Sequence, residues 1–210
     1  MPQLVPSQAS PNLAALDDRE LMAATGGGNE AAFEELVGRK TKSLLALAFR
    51  MLGDREEAKD IVQLTFLRVW EHRARYDGSF SVNTWIYRIA TNLGIDLLRA
   101  RKVRGQQAEP VRHHMMRLIG RRTDLEKVFR REVLDILRDL ASGLSERQRL
   151  AFLLREVEGL SSREVAAVLG CQESTVRNHL FVARKFLQHE VHRRFPEYAT
   201  GLRAPSGGQR

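Results

Sequence analysis

Few side chains in this 210-residue sequence have the type and spacing that covalent or metal chemistry needs. His113 is adjacent to His114, and His189 lies three residues before His192, so neither pair has the i,i+4 spacing of helical metal ligands. The Gly26–Gly27–Gly28 run lacks the preceding strand and the following Lys–Ser/Thr pair of a phosphate-binding loop. No Ser/His/Asp set or carboxylate pair suggests catalysis. We therefore expect no enzyme activity, cofactor, metal or small-molecule substrate.

The charge balance points to a polyanionic partner. Lys and Arg number 34 against 26 Asp and Glu, a formal net charge of +8, which suits nucleic acid or an anionic membrane surface. No apolar run approaches the roughly 20 residues that span a bilayer, and residues 1–12 do not resemble a signal peptide. We expect a cytoplasmic protein without membrane insertion. The single cysteine, Cys171, excludes an internal disulfide and a Cys-based metal site.

The clearest recognition chemistry lies on a helix predicted to start near residue 173 and to end near 192. Arg177 and Asn178 can hydrogen-bond to base edges, and Phe181 can press on a thymine methyl group. Cations on the same face suit phosphates. The residues predicted to face outward are Glu173, Ser174, Arg177, Asn178, Phe181, Arg184 and Lys185.

A short turn must position that helix. The turn 169–172 contains Gly170, which is free to adopt positive φ, and Ala166 is small enough for close approach of the two helices. Val176 and Leu180 would hold the second helix on the first. These offsets match a helix-turn-helix, whose second helix enters the DNA major groove. An ordinary helical hairpin with a solvated basic face is the alternative.

A second stripe lies on a helix predicted over 82–101. An aromatic ring, cations and an amide on one face suit single-stranded DNA, where bases stack on rings and phosphates follow cations. The alternative is that Trp85 and Tyr87 are core aromatics, with the cations merely solvated. The residues of this stripe are Trp85, Arg88, Asn92, Asp96 and Arg99.

A third surface lies on the helix that follows Asp54. Two leucines, Leu64 and Leu67, fall opposite its apolar stripe, beside hydrogen-bonding groups, and together they favour contact with a partner helix. The candidate contact residues are Asp60, Gln63, Leu64, Leu67 and Arg68, with Glu71 on the same face.

The apolar positions repeat with helical period almost throughout, so we predict an all-α fold of two small domains joined by a basic flexible linker. The first domain should contain helices over 29–52, from Asp54, and over 82–101. The last of these should bury Ile86, Ile89, Ala90, Leu93 and Leu97, and a further helix is predicted over 125–140. Capping boxes are predicted at Asp54–Glu57, Thr123–Glu126, Ser145–Gln148 and Ser161–Glu164. The predicted boundaries are a disordered tail at 1–16, a domain at 17–101, the linker at 102–122, a helix-turn-helix domain at 123–195 and a tail at 196–210.

Three sequence runs resemble one family. LSERQR at 144–149, LREVEGLS at 154–161, EVA at 164–166, LGC at 169–171, TVR at 175–177 and ARK at 183–185 are similar to the fourth conserved region of bacterial sigma factors. DIVQLTFLRVW at 60–70 resembles the second conserved region. FSVNTWIYRIATN at 80–92, with DLLR at 96–99, resembles the −10 and melting part of that region. The resemblance is closest to the extracytoplasmic-function group of the sigma-70 family.

The resemblance implies a specificity subunit that directs core RNA polymerase to promoters and promotes DNA melting. It implies that residues 173–185 bind the −35 element, that the stripe from Trp85 to Arg99 binds the −10 strand, and that the surface around Leu64 docks on the clamp of the largest polymerase subunit. It also implies contact with the flap of the second-largest subunit, a linker path through the polymerase interior and control by an anti-sigma factor. The family usually has an acid where this chain has Leu64, so the polar part of that contact departs from the pattern.

Two rival functions remain open from the residues alone. A polymerase-independent repressor or activator could use the same helix-turn-helix, usually as a dimer on two half-sites. It would leave the surfaces on the first domain unexplained. A nucleic-acid-processing enzyme is disfavoured because the sequence shows no catalytic set.

Overall fold

The computed structural model describes residues 12–103, 143–194 and 196. The chain divides into two compact units, Met1–Gln107 and Ala108–Arg210. Every regular element in the described ranges is a helix and none is a strand, which confirms the all-α prediction. The helix predicted over 125–140, its cap at 123–126, linker residues 104–122 and the outer parts of both tails lie outside the described residues.

The described part of the first unit is a bundle of four helices. Helix α2 packs against α1, α3 and α4, so its buried face forms the centre of this domain. Two short 3-10 turns, Leu13–Ala15 and Arg73–Arg75, lie against the bundle. The helices are α1 (Asp18–Gly26), α2 (Glu30–Leu52), α3 (Arg55–Glu71) and α4 (Val82–Val103).

The second unit contains three described helices that pack on one another. Helix α7 contacts both α5 and α6, and its Ala183 and Leu187 form an apolar cluster with Leu144. These helices are α5 (Glu146–Phe152), extended by a π-helical turn at Leu153–Val157, then α6 (Ser162–Leu169) and α7 (Glu173–Arg194).

Local capping fixes the helix starts, because a side chain satisfies backbone N–H groups that have no partner within the helix. The boxes predicted at Ser145–Gln148 and Ser161–Glu164 are both formed. The third one, predicted at Asp54, is only half formed. The Asp54 carboxylate accepts from the Glu57 N–H at 2.9 Å, but no return bond from Glu57 to residue 54 forms.

The Glu57 side chain binds Arg101 instead. The Arg101 guanidinium donates from Nε to Glu57 Oε1 at 3.1 Å and from Nη1 to the Leu52 carbonyl oxygen at 3.2 Å. A bond to a guanidinium is stronger than one to a neutral amide, so the long-range partner replaces the local one. It ties the last turn of α4 to the corner between α2 and α3.

Helical structure continues beyond both predicted ends of the first domain. Helix α4 runs to Val103, two residues into the predicted linker. Residues 12–16, predicted to be part of a disordered tail, are held by Arg39. Its guanidinium donates to the carbonyl oxygens of Leu13, Ala14 and Leu16 at 3.2, 2.9 and 2.7 Å.

Candidate nucleic-acid and protein interfaces

The helix-turn-helix geometry is present in the second unit. Gly170 ends α6 in the left-handed region, with φ 61° and ψ 45°, and its N–H donates to the Ala166 carbonyl oxygen. The Cys171 N–H donates to the same oxygen at 3.0 Å. This C-cap ends α6 and lets the chain reverse into α7. Val176 and Leu180 of α7 are buried, as the sequence predicts.

One face of α7 carries the whole predicted recognition set. The helix buries Val176, Leu180, Ala183 and Leu187, which recur every three or four residues, so the intervening positions face solvent. Phe181 is 65% exposed, an unusual position for an aromatic ring that has no partner to cover it. The exposed residues on this face are Glu173, Ser174, Arg177, Asn178, Phe181, Arg184 and Lys185.

Acidic side chains already pair with two cations of this face. Arg184 Nη2 lies 2.5 Å from Oε1 of Glu156, which is in the π-helical turn. Arg177 Nη1 lies 3.7 Å from Glu173 Oε2, one helical turn away. Both are exposed pairs, which contribute little to stability in water. The two arginines are therefore positioned on this face by ion pairs that are weak enough for DNA to replace.

Cys171 lies half-buried in the turn. Burial raises the pKa of its thiol, and the charge of Arg147 opposes this effect only in part. The thiol therefore stays protonated at neutral pH, consistent with a packing role.

Helix α4 exposes the second predicted stripe. Arg88, Asn92, Asp96 and Arg99 are all exposed and recur every three or four residues, so they form one line along the helix. Arg99 Nη1 lies 3.7 Å from Asp96 Oδ1 within that line. The stripe thus presents an amide between cationic groups.

The two aromatics of this segment have different environments. Tyr87 is 3% exposed and belongs to the core, so the core alternative holds for it. Trp85 is only half-buried, and its ring packs against Tyr76 with centroids 5.5 Å apart and planes tilted by 56°. The Tyr76 hydroxyl donates to the Phe80 carbonyl oxygen at 2.8 Å, and burial raises its pKa. A partly exposed aromatic pair therefore lies at the start of the stripe.

The apolar side of α4 differs from the predicted one. We expected Ile86, Ile89, Ala90, Leu93 and Leu97 to be buried, but Ile89, Leu93 and Leu97 are only half-buried. The helix packs on both α2 and α3, so its contact band is wider and includes small residues. The buried residues of α4 are Val82, Thr84, Ile86, Tyr87, Ala90, Thr91, Gly94 and Ile95.

Sequence reasoning missed the loop that joins α3 to α4. Besides Tyr76, it contains Gly78 at φ 73°, and the Arg19 guanidinium of α1 lies so close that a Cβ there would meet Nη2 at 2.8 Å. Arg19, which lies in α1 near the start of the domain, thus packs against this turn. The Gly–Ser pair between Tyr76 and Trp85 could have predicted this contact, because a turn there brings the two aromatic rings close together.

Helix α3 exposes the third surface. Leu64 is 45% and Leu67 is 59% exposed, and they are neighbours at i,i+3. The opposite side packs through Phe66 and Trp70 against Phe33, with ring centroids 6.4 and 5.0 Å away. The predicted residues Asp60, Gln63, Leu64, Leu67 and Arg68 are all exposed, as is Glu71.

The described ranges contain neither a cluster of metal-ligand side chains nor a helix that could span a membrane. No three His, Cys, Asp or Glu side chains of residues 12–103 and 143–194 are grouped as metal ligands would be. None of the helices in those ranges combines the length and apolarity needed to cross a bilayer.

Comparison with known proteins identifies the family. The Sigma-70 region 2 family matches residues 36–104, and the Sigma-70 region 4 family matches residues 134–187. RNA polymerase sigma-H factor of Pseudomonas aeruginosa is 30% identical over 174 residues, which cover 80% of this chain and 90% of that protein. The chain belongs to the sigma-70 family. Its relatives include ECF RNA polymerase sigma-E factor of Haemophilus influenzae, 29% identical over 182 residues, 84% of this chain and 96% of that one.

Two solved structures share the architecture. CnrH, in complex with the cytosolic domain of CnrY, has a TM-score of 0.64 at 26% identity, covering 84% of this chain and 98% of that one. RpoE of Bartonella quintana, in complex with the anti-sigma factor NepR, has a TM-score of 0.56 at 22% identity, covering 75% and 94%. This sigma factor is of the extracytoplasmic-function group and directs core RNA polymerase to promoter DNA.

The three surfaces of the sigma factor fall within the matched regions. Those of α3 and α4 lie in region 2, and that of α7 lies in region 4. Arg19 lies before the region 2 match. A polymerase-independent repressor would need only the helix-turn-helix. The match of the first domain to region 2 therefore argues against that alternative function.

Proposed function

We propose that the three exposed faces divide the work of promoter recognition. The α3 face around Leu64 and Leu67 docks on the polymerase clamp, the α4 stripe binds the unpaired −10 strand, and the α7 face reads the −35 duplex. The second domain also contacts the polymerase flap. The observation that carries this proposal is the α4 stripe, because duplex recognition by α7 alone gives no use for an exposed Asn92 between cations beside an aromatic pair.

Melting follows from differential binding. The polar and aromatic groups of α4 can bind bases only after these leave the duplex, so their binding energy favours the open state and offsets lost stacking. Trp85 and Tyr76 offer a ring face, and Asn92 offers both a donor and an acceptor to a base edge. Arg88 and Arg99 suit the phosphates. The sigma factor does this by binding, without covalent chemistry of its own.

The domain limits and remaining partners belong to the same proposal. Residues 17–101 and 123–195 act as the two binding domains, and the basic segment 102–122 connects them through the polymerase interior. An anti-sigma factor would act by covering these faces; among the solved structures, the sigma factor RpoE of Bartonella quintana is in complex with the anti-sigma factor NepR. The sigma factor itself works in the cytoplasm, where core polymerase and DNA are.

Transcription with core polymerase tests the assignment of α4. Run-off transcription on genomic fragments first identifies a promoter, and permanganate reactivity of its thymines then reports melting. Asn92→Ala should lower permanganate reactivity and leave core binding intact. Asn12→Ala is the matched control, because Asn12 is also exposed and its side chain makes no capping bond. Normal melting by Asn92→Ala would refute the −10 role of this face.

A further inference from the structure

The ion pair between Glu156 and Arg184 joins the α7 recognition face to the helix before the helix-turn-helix. Arg184 Nη2 and Glu156 Oε1 are 2.5 Å apart, and the residues are 28 positions apart in sequence. We infer that Glu156 takes the place of a DNA phosphate on Arg184 in the free protein and thereby limits binding to duplex of any sequence. This inference rests on the proposed role of α7.

The backbone around Glu156 is fixed. Glu156 lies in the π-helical turn, where the Glu158 N–H donates to the Leu153 carbonyl oxygen at 3.0 Å. The Leu160 N–H donates to the Leu154 carbonyl oxygen at 3.0 Å, and Arg155 Nη1 donates to the Leu160 carbonyl oxygen at 2.9 Å. These bonds fix the backbone on both sides of Glu156, so the exchange with DNA needs only movement of the Glu156 and Arg184 side chains.

The π-helical turn also directs this segment outward. Leu150, Ala151 and Leu154 are buried, and an α-helical period would place position 157 or 158 beneath them. The wider turn leaves Val157 51% exposed and Glu156 exposed beside it. Turns of this kind are frequent at functional sites. Here the turn presents a carboxylate to the recognition face.

The chemistry of the exchange is simple. A carboxylate and a phosphate both accept hydrogen bonds from a guanidinium, so they compete for Arg184. The side chains of Arg184 and Glu156 are 58% and 35% exposed, so the pair is weak enough for DNA to break. This competition opposes binding, and it does not depend on the base sequence.

The test uses the full chain and a short fluorescent duplex of arbitrary sequence. Glu156→Gln keeps the shape of the side chain and removes its charge. It should tighten binding about two- to fivefold at low salt, the range expected for an exposed pair. The slope of log K against log salt should steepen by up to about 1, because one more cation becomes available to phosphate.

Two further variants separate this exchange from a change in net charge. Glu190→Gln makes the same charge change and releases Arg193 and Arg194, but on the side of α7 away from the recognition face. It should leave affinity for the duplex unchanged. In an Arg184→Gln background, Glu156→Gln should give no gain. A gain that persists there, or one that Glu190→Gln reproduces, overturns the inference.

Failure of this inference can be told from failure of the proposed function. If Glu156→Gln gives no gain while Arg177→Ala still relaxes promoter discrimination by the holoenzyme, only the exchange is refuted. If Arg177→Ala leaves discrimination unchanged, the role of α7 itself fails. Thermal unfolding of each variant verifies that the domain remains folded.

Discussion

Truncation of the two exposed leucines of α3 should weaken binding to core polymerase without unfolding the sigma factor. Leu64 and Leu67 are 45% and 59% exposed, whereas the core contacts of α3 are made by other residues. The double variant Leu64→Ala, Leu67→Ala therefore removes little packing within the domain. It removes apolar surface that a partner helix would cover.

The magnitude follows from the exposed fractions. Complete burial of a leucine side chain contributes about 1.5–3 kcal/mol. Since roughly half of each side chain remains to be buried on binding, the pair contributes about 2 kcal/mol, of which alanine retains a small part. The dissociation constant should rise about ten- to thirtyfold. Because this contact is apolar, the loss should persist at high salt.

Fluorescence titration of labelled sigma factor with core polymerase at two salt concentrations measures this change. Val157→Ala is a suitable control, since Val157 is an apolar side chain that is 51% exposed and lies outside the three proposed faces. A dissociation constant for the double variant within twofold of the wild type would refute the docking assignment. A large loss of thermal stability would refute the view that these leucines are free of internal packing.

Three other measurements test the second domain, one of them with a comparison variant in the first domain. Arg177→Ala should cost about 1–3 kcal/mol at −35 sequences and relax discrimination, measured by holoenzyme binding to matched and mismatched promoters; unchanged discrimination would argue against a base contact. Gly170→Ala should destabilise the domain by about 1 kcal/mol because the backbone of Gly170 is left-handed; no neighbour lies near the added Cβ, so a steric clash adds nothing to this cost. Gly38→Ala, in the exposed middle of α2, should instead stabilise the first domain by about the same amount. The Cys171 thiol, whose pKa is raised by burial, should react with a thiol reagent at pH 8 more slowly than free cysteine and regain the normal rate in denaturant.

Local rules predicted much of the architecture. Capping at Ser145 and Ser161, the left-handed turn at Gly170 and the exposed faces of α3, α4 and α7 depend on residues within a few positions of one another. Helical periodicity reports such neighbours directly. The exposure of Leu64 and Leu67 could also be predicted from the sequence, because the apolar stripe on the opposite side of the same helix is longer and indicates the buried face.

Contacts between distant residues could not be predicted in this way. The bond of Glu57 to Arg101 joins residues 44 positions apart, and it displaced a capping bond that the local pattern favoured. The set of buried residues in α4 depends on packing against both α2 and α3, so a prediction based on one apolar stripe identified it only in part. The Tyr76–Trp85 pair and the π-helical turn around Glu156 likewise arise from packing in three dimensions.

The pairing of cations bears on how the sigma factor selects promoters. Three arginines on the proposed DNA faces already have acidic partners, Arg99 with Asp96, Arg177 with Glu173 and Arg184 with Glu156. Each must leave or share its partner on binding, so the count of 34 Lys and Arg residues overstates the cations available to DNA. Phosphate contacts also carry no direct sequence information. We therefore expect discrimination among promoters to depend more on groups that can contact bases than on the total charge, and the groups placed to provide it are Trp85, Asn92, Arg177, Asn178 and Phe181.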